Sequence, residues 1–201
     1  MGSCRISLGV KGVKSTRPGE CCVIIDVLRA SSTIVTALAH GVQEVLTVTN
    51  IRDALRLRKE NFILAGERKG VTLPGFDLGN SPVDVVGATR KHTLHKMVLT
   101  TSNLTRALAC CTSALICSSL NITAVSRYIT DKRANIVAVG GANGVVEDLG
   151  VALALVMVVK GMKLEKGIVQ KMIAQSPAAA HLGSIGFGGD VKFITAVDKY
   201  D

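Results

Sequence analysis

Polar side chains in this chain collect where apolar runs stop. Asp26 closes the run CCVIID and is followed at once by Arg29, Ser31, Ser32 and Thr33. Thr100, Thr101, Ser102, Asn103 and Thr105 follow a second run, Ser118, Ser119 and Asn121 a third, and Asn143, Glu147 and Asp148 a fourth. Glu67 and Arg68 stand just after another short run, while Asp77 and Asn80 lie in the loop VTLPGFDLGNSP. Carboxylates are hard oxygen ligands of the kind Mg²⁺ takes, one or two at a time, together with water and substrate oxygens. Hydroxyls and free N–H groups at helix starts suit a phosphate or sulfonate. Phosphate-ester hydrolysis needs both: charge neutralised on the transferring group and a water activated for attack. Any single cluster is explained more simply as a helix cap. Asp77 reads equally as a residue that stiffens its loop, and Asp148 as a first-turn acid favoured by the helix dipole. It is the recurrence of such clusters at equivalent positions that argues for one site.

The elements that must carry these residues follow from the pattern. Strands are predicted over Cys21–Asp26, Val42–Val48, Phe62–Ala65, Met97–Thr101, Ala114–Ser118 and Ile136–Val139, with a final strand near Val191–Val197. Helices are predicted over Ile34–His40, Ile51–Glu60, Thr105–Cys111, Ile122–Ile129, Val146–Lys160 and about Glu165–Gln175, with Gly41 and Gly161 as stops. Val71–Pro82 is predicted to be loop. Strand and helix alternate, and several strands are continuous apolar runs, as in a largely parallel sheet buried on both faces. The fold class expected is α/β, a three-layer α/β/α arrangement with a largely parallel or mixed central sheet, forming one domain over residues 1–201. In such sheets ligands bind at the carboxyl ends of the strands.

Composition narrows the partners. Of the 201 residues 48% are hydrophobic and 19% charged, which excludes a disordered chain. With 3% aromatics and no Trp the core must be aliphatic. The net charge of +9 favours anionic partners. Its basic residues are scattered and lack interleaved aromatics, so a small anion fits better than nucleic acid. The longest apolar run, Val151–Val159, is far too short for a membrane span, and no signal-peptide pattern is present. The six cysteines contain no C-x-x-C pair, which points to reduced thiols in a cytoplasm. His92 and His95 lack a nearby acidic or thiol partner and read as surface residues. The GGANG turn at 140–144 lacks the G-x-G-x-x-G spacing, and no P-loop pattern occurs. A sheet this apolar is compatible with a homo-oligomer, although the sequence does not fix the oligomeric state.

Taken together, IDVLRASSTIVTAL (Ile25–Leu38), AGERKGVTLPGFDLGNSP (Ala65–Pro82), LTTSNLTRAL (Leu99–Leu108), SSLN (Ser118–Asn121) and the Glu147–Asp148 pair resemble the 2-phosphosulfolactate phosphatase family, the ComB-like enzymes of coenzyme M biosynthesis. Order and spacing agree from about Cys22 to Asp190. The resemblance implies Mg²⁺-dependent hydrolysis of 2-phospho-3-sulfolactate to 3-sulfolactate and phosphate, or of another 2-hydroxyacid phosphate ester. A non-catalytic anion-binding protein on the same fold is the alternative. It further implies Asp26, Glu67 and Asp77 as metal-holding residues, with Glu147 and Asp148 in acid–base or supporting roles. Arg29, Ser31, Ser32, Thr33, Arg68, Asn80, Asn121 and the turn from Thr100 to Thr105 would bind substrate. Two positions depart from the family pattern: Leu104 stands where Gly is usual, with an expected crowding of the turn, and Lys69 likewise replaces Gly.

Overall fold

The computed structural model describes residues 2–140 and 145–200. In chain order the elements are β1 (Cys4–Leu8), α1 (Gly9–Lys14), β2 (Cys21–Ile25), α2 (Ala30–Ala39), β3 (Glu44–Thr47), α3 (Ile51–Leu57), β4 (Ile63–Arg68), β5 (Val71–Thr72) and α4 (Pro82–Lys91). There follow β6 (Lys96–Thr100), α5 (Leu104–Leu108), β7 (Leu115–Cys117), α6 (Ile122–Ile129), β8 (Ala134–Ala138), α7 (Val146–Val159), α8 (Lys166–Ala174), α9 (Pro177–Ser184) and α10 (Gly188–Ile194). Short 3₁₀ turns cover Arg58–Glu60 and Ser119–Asn121. Among the described residues no helix is long and apolar enough to cross a membrane.

The α/β class and the largely parallel pairing match the sequence pattern, but the strands sort into two sheets. One has the order β1-β8-β2-β7 and is parallel throughout. The other has the order β3-β6-β4-β5, parallel except for β5, which runs against β4. The continuous run of β2 is explained by its two buried faces. Val23 and Ile25 enter a core with Ile136 of β8 and Val151, Leu155, Ile173 and Ile194 from helices. Cys22 and Ile24, pointing the other way, enter a second core with Val13, Ile34, Val85 and Leu104 of α1, α2, α4 and α5, and with Ala65, Met97 and Leu99 of the second sheet. That shared core joins the two sheets. The outer face of the second sheet packs Leu64 and Val98 against Ala54 of α3 and Phe62.

Two helices that the apolar pattern does not reveal begin in the same way. Ser81 accepts the Asp84 N–H at 3.1 Å with Pro82 at the first turn, and Ser176 accepts the Ala179 N–H at 3.1 Å with Pro177 following. Each serine satisfies an N–H that the first turn leaves open, and proline loses nothing there because its missing donor would have been unpaired. The final strand expected near Val191–Val197 is instead α10. Asp190, Ile194 and Val197 are the buried positions, a spacing of four and three that belongs to a helical face rather than to a period of two. β1, α1 and the two-residue β5 also go beyond the sequence-based expectation. Gly41 and Gly161 follow their helices at φ 90° and 80°, as expected of helix stops.

Candidate active site

Parallel strands of both sheets deliver their carboxyl ends to one cleft of about 250 Å³. Asp26 follows β2, Gly140 follows β8, and Glu67 lies near the end of β4. Thr101, Ser102 and Asn103 follow β6, and Glu147 and Asp148 form the first turn of α7. Asn80 and Arg29 also line it, as do Lys69, Gly70 and, from α9, Ala178, His181 and Leu182. Residues from Asp26 to Leu182 therefore meet at the position where open α/β sheets hold ligands.

The carboxylates are held by backbone donors. Glu67 takes the Ser102 N–H at 2.7 Å on Oε1, and the Gly70 N–H at 2.8 Å and the Ser102 hydroxyl at 3.2 Å on Oε2. Asp148 takes the Val27 N–H at 2.7 Å on one oxygen and the Gly140 N–H at 2.8 Å on the other, tying the ends of β2 and β8 together. Asp26 is pushed up to about 7 by burial, helped by the nearby charges of Glu67 and Glu147; the N–H groups of Ala30 and Leu104 partly offset this by favouring its charged form. Burial likewise raises Glu147, against the Ser176 hydroxyl. Asp148 is raised by burial and then by Asp26 and Glu147. Among the described residues, Glu147 Oε2 and Asn80 Oδ1 are buried without a hydrogen-bond partner. Such orphaned acceptors are costly unless something positive meets them.

These features fit a divalent cation. Crowded carboxylates that resist ionising together, with unused acceptor oxygens, are what a hard cation relieves. Among the described residues no three acidic, His or Cys side chains gather closely enough to hold a metal unaided. Mg²⁺ commonly needs only one or two, with water and substrate completing its shell.

Several residues that the motifs single out lie elsewhere. Asp77 is outside the cleft: its oxygens accept from Arg58 at 3.0 Å and from the Leu64 N–H at 2.8 Å, so it fastens its loop to β4 and is not placed to ligate a metal there. Arg68 turns away, donating to the Glu67 and Thr49 carbonyls and to the Thr100 hydroxyl, and lines a separate shallow depression beside α3. Ser31, Ser32 and Thr33 are buried and donate their hydroxyls to the backbone carbonyls of Asp26, Val27 and Arg29. They brace the turn that presents Asp26 and do not face the cleft. Thr105 donates to the Thr101 carbonyl, and Asn121 closes a reciprocal cap with Ser118. Thr100 is fully buried.

Arg29 lines the cleft, yet its guanidinium is already engaged. It pairs with Asp190 at 2.7 Å, donates to the Gly70 carbonyl at 2.6 Å and stacks on the Phe187 ring at 4.1 Å. Leu104 does not crowd the turn. It opens α5 with its side chain fully buried in the core shared by both sheets. Lys69 does adopt the left-handed backbone, φ 55°, that glycine accepts at no cost; a non-glycine residue held there costs about 1–3 kcal/mol. Asp190, His181 and Gly140 escape the sequence reading. The Ser176-Pro177 pair is the signal that would have found the helix carrying His181. The 140–144 turn lies, apart from Gly140, outside the described residues, and Asn143 with it.

Comparison with known proteins identifies the family. The family model for 2-phosphosulpholactate phosphatase matches residues 9–201. A probable 2-phosphosulfolactate phosphatase from Thermotoga petrophila is 37% identical over 91% of this chain and 88% of its own length. A relative described the same way from Pseudothermotoga lettingae is 34% identical over 89% and 86%. The 2-phosphosulfolactate phosphatase of Methanothermobacter thermautotrophicus is 33% identical over 86% and 80%. With its strand ends converging on four carboxylates and the match running nearly end to end, this chain belongs to the 2-phosphosulfolactate phosphatase family, a family of phosphoric monoester hydrolases.

Proposed function

We propose that this chain hydrolyses 2-phospho-3-sulfolactate to 3-sulfolactate and phosphate with Mg²⁺, as a cytoplasmic step of coenzyme M biosynthesis. The observation that carries the reading is the convergence of Asp26, Glu67, Glu147 and Asp148 on one cleft, three of them resisting ionisation.

Glu67 and Glu147 are the residues that would hold the cation, with water and substrate oxygens completing its shell. Glu67 keeps acceptor capacity beyond its three donors, and Glu147 Oε2 has no donor at all. When bound, the ion supplies neutralisation of the phosphoryl oxygens and activation of a water. Asp148 keeps the β2 and β8 ends in register so that Asp26 faces the ester. Thr101 and Asn103 line the same wall and would offer a hydroxyl and an amide donor to phosphate oxygens, while Ser102 is engaged with Glu67. Asp26, whose carboxyl burial pushes up, is the group that would exchange a proton with water or leaving group. Six free thiols are compatible with a reducing compartment.

The test is phosphate release from 2-phospho-3-sulfolactate with added Mg²⁺, with EDTA, and with Asp26→Asn. Release that needs the metal and disappears in the variant is the expected result. Folded protein that releases no phosphate under any of these conditions overturns the reading.

A further inference from the structure

β4 ends in two consecutive charged residues, and its period of two sends them opposite ways. Glu67 lines the cleft, whereas Arg68 reaches the start of α3 and lines an open depression of about 530 Å³ there. Three bonds hold its guanidinium. Nη1 donates to the Glu67 carbonyl at 2.6 Å, and Nη2 to the Thr100 hydroxyl at 3.0 Å and the Thr49 carbonyl at 3.3 Å. All three acceptors are neutral, so they fix the fork in place and leave its charge unmatched. Among the described residues no carboxylate lies within ion-pair distance of it, although the side chain is half-buried. A charge taken partly out of water without a counter-charge is costly, and a bound anion relieves that cost.

Two more arginines border the same depression. Arg52 and Arg56 stand on α3 four residues apart, the spacing that puts side chains on one helix face. Among the described residues Arg52 has no hydrogen-bond or ion-pair partner. Arg56 meets Asp53 at 3.3 Å, in a pair exposed enough to open at little cost. Among the described residues Asp53, held also by the Asn50 amide, is the one acid on the lining. Three guanidiniums against one carboxylate leave the depression strongly positive. Arginines on an exposed helix face are ordinarily just solvated. Here a guanidinium from a separate strand is already fixed beside them.

We infer that the depression bordered by Arg52, Arg56 and Arg68 is a second anion site, separate from the cleft, which takes a free tetrahedral dianion of the phosphate type. Arginine suits such oxygens because its planar fork offers paired donors in a fixed geometry. Unlike the carboxylate-lined cleft, the site needs no cation to hold an anion. It stands whether or not the chain is a phosphatase.

The experiment titrates metal-free protein, kept in EDTA, with inorganic phosphate in a calorimeter, against sodium chloride at matched ionic strength. The expected result is saturable phosphate binding that chloride does not reproduce. Arg52→Ala combined with Arg56→Ala should weaken it by roughly tenfold or more, because charged hydrogen bonds are lost. Asp53→Asn, which removes the local negative charge, should tighten it severalfold. These positions are on the surface, and melting curves without phosphate check that the variants fold. None of the three lines the cleft, so phosphate held there would not respond to the changes. No saturable binding overturns the proposal, as does binding that chloride matches or that appears only with added Mg²⁺. Binding that the arginine variant retains in full overturns it too.

Discussion

Glu67 and Ser102 are joined twice, by the Ser102 N–H at 2.7 Å and the Ser102 hydroxyl at 3.2 Å, so the ends of β4 and β6 share one carboxylate. The Gly70 N–H adds a third donor at 2.8 Å. Glu67→Gln would set an amide NH₂ against one of these N–H groups. The expected loss is about 1–3 kcal/mol, a fall in Tm of roughly 2–4 °C per kcal/mol, together with loss of phosphate release. A melting curve that overlays the wild type would contradict the geometry.

Stability should depend on pH in a direction set by Asp26. Its carboxyl stands at about 7 in the folded chain against an ordinary value of 3.8. The folded state therefore binds this proton more tightly than the unfolded state does. Its contribution is complete below about pH 4 and is lost as pH rises through about 7. Glu147 and Asp148 are raised in the same sense. Metal-free protein should lose Tm across that window, and Mg²⁺ should restore it on the alkaline side. Asp26→Asn, which cannot ionise, should melt higher than the wild type near pH 8 when no metal is present. Thermal scans across pH, with and without Mg²⁺, read all three effects.

Asp190 pairs with the guanidinium of Arg29 at 2.7 Å, and both side chains are 2% exposed. Removing one partner of such a pair leaves an uncompensated buried charge. Asp190→Asn should cost about 3–5 kcal/mol. Denaturant unfolding of the two proteins measures it, and a cost below about 1 kcal/mol would show that the pair is not closed in solution.

Asp77 provides the contrast. Its bond to Arg58 is half-exposed, and surface pairs of this kind contribute about 0–1 kcal/mol. Asp77→Asn keeps a carbonyl oxygen for the Leu64 N–H. We expect phosphate release to persist at the wild-type rate with a Tm lower by at most about 4 °C. Loss of turnover would return Asp77 to the site.

The legible part of this molecule is the part governed by local rules. Asp26, Glu67 and Asp148 were readable because each ends an apolar run or opens a helix, and that position is fixed by strand-to-helix order alone. The hydroxyls of Ser31, Ser32 and Thr33 had the right location but the wrong direction. Sequence places a side chain on an element, whereas its bond to a carbonyl five or four residues back depends on how the turn closes. Asp77 and Asn80 share one loop, yet only Asn80 lines the cleft, since loop path is set by contacts with β4 that no periodicity encodes. The helix carrying His181 was hidden by its mild pattern, although Ser176-Pro177 announced its start. Two sheets in place of one could not be read because strand order is a long-range property.

The bond from Arg29 to Asp190 also sets a timetable. Arg29 leaves the ribosome early, with β2 and the turn that presents Asp26; its counter-charge is translated 161 residues later. Until α10 emerges, a guanidinium destined for the interior lacks its counter-charge, although the Ser31, Ser32 and Thr33 hydroxyls already brace the turn beside it. The nascent chain can therefore build much of both sheets before the guanidinium beside the cleft meets its counter-charge, and a chain interrupted ahead of Asp190 would carry Asp26, Glu67, Glu147 and Asp148 next to an unpaired Arg29.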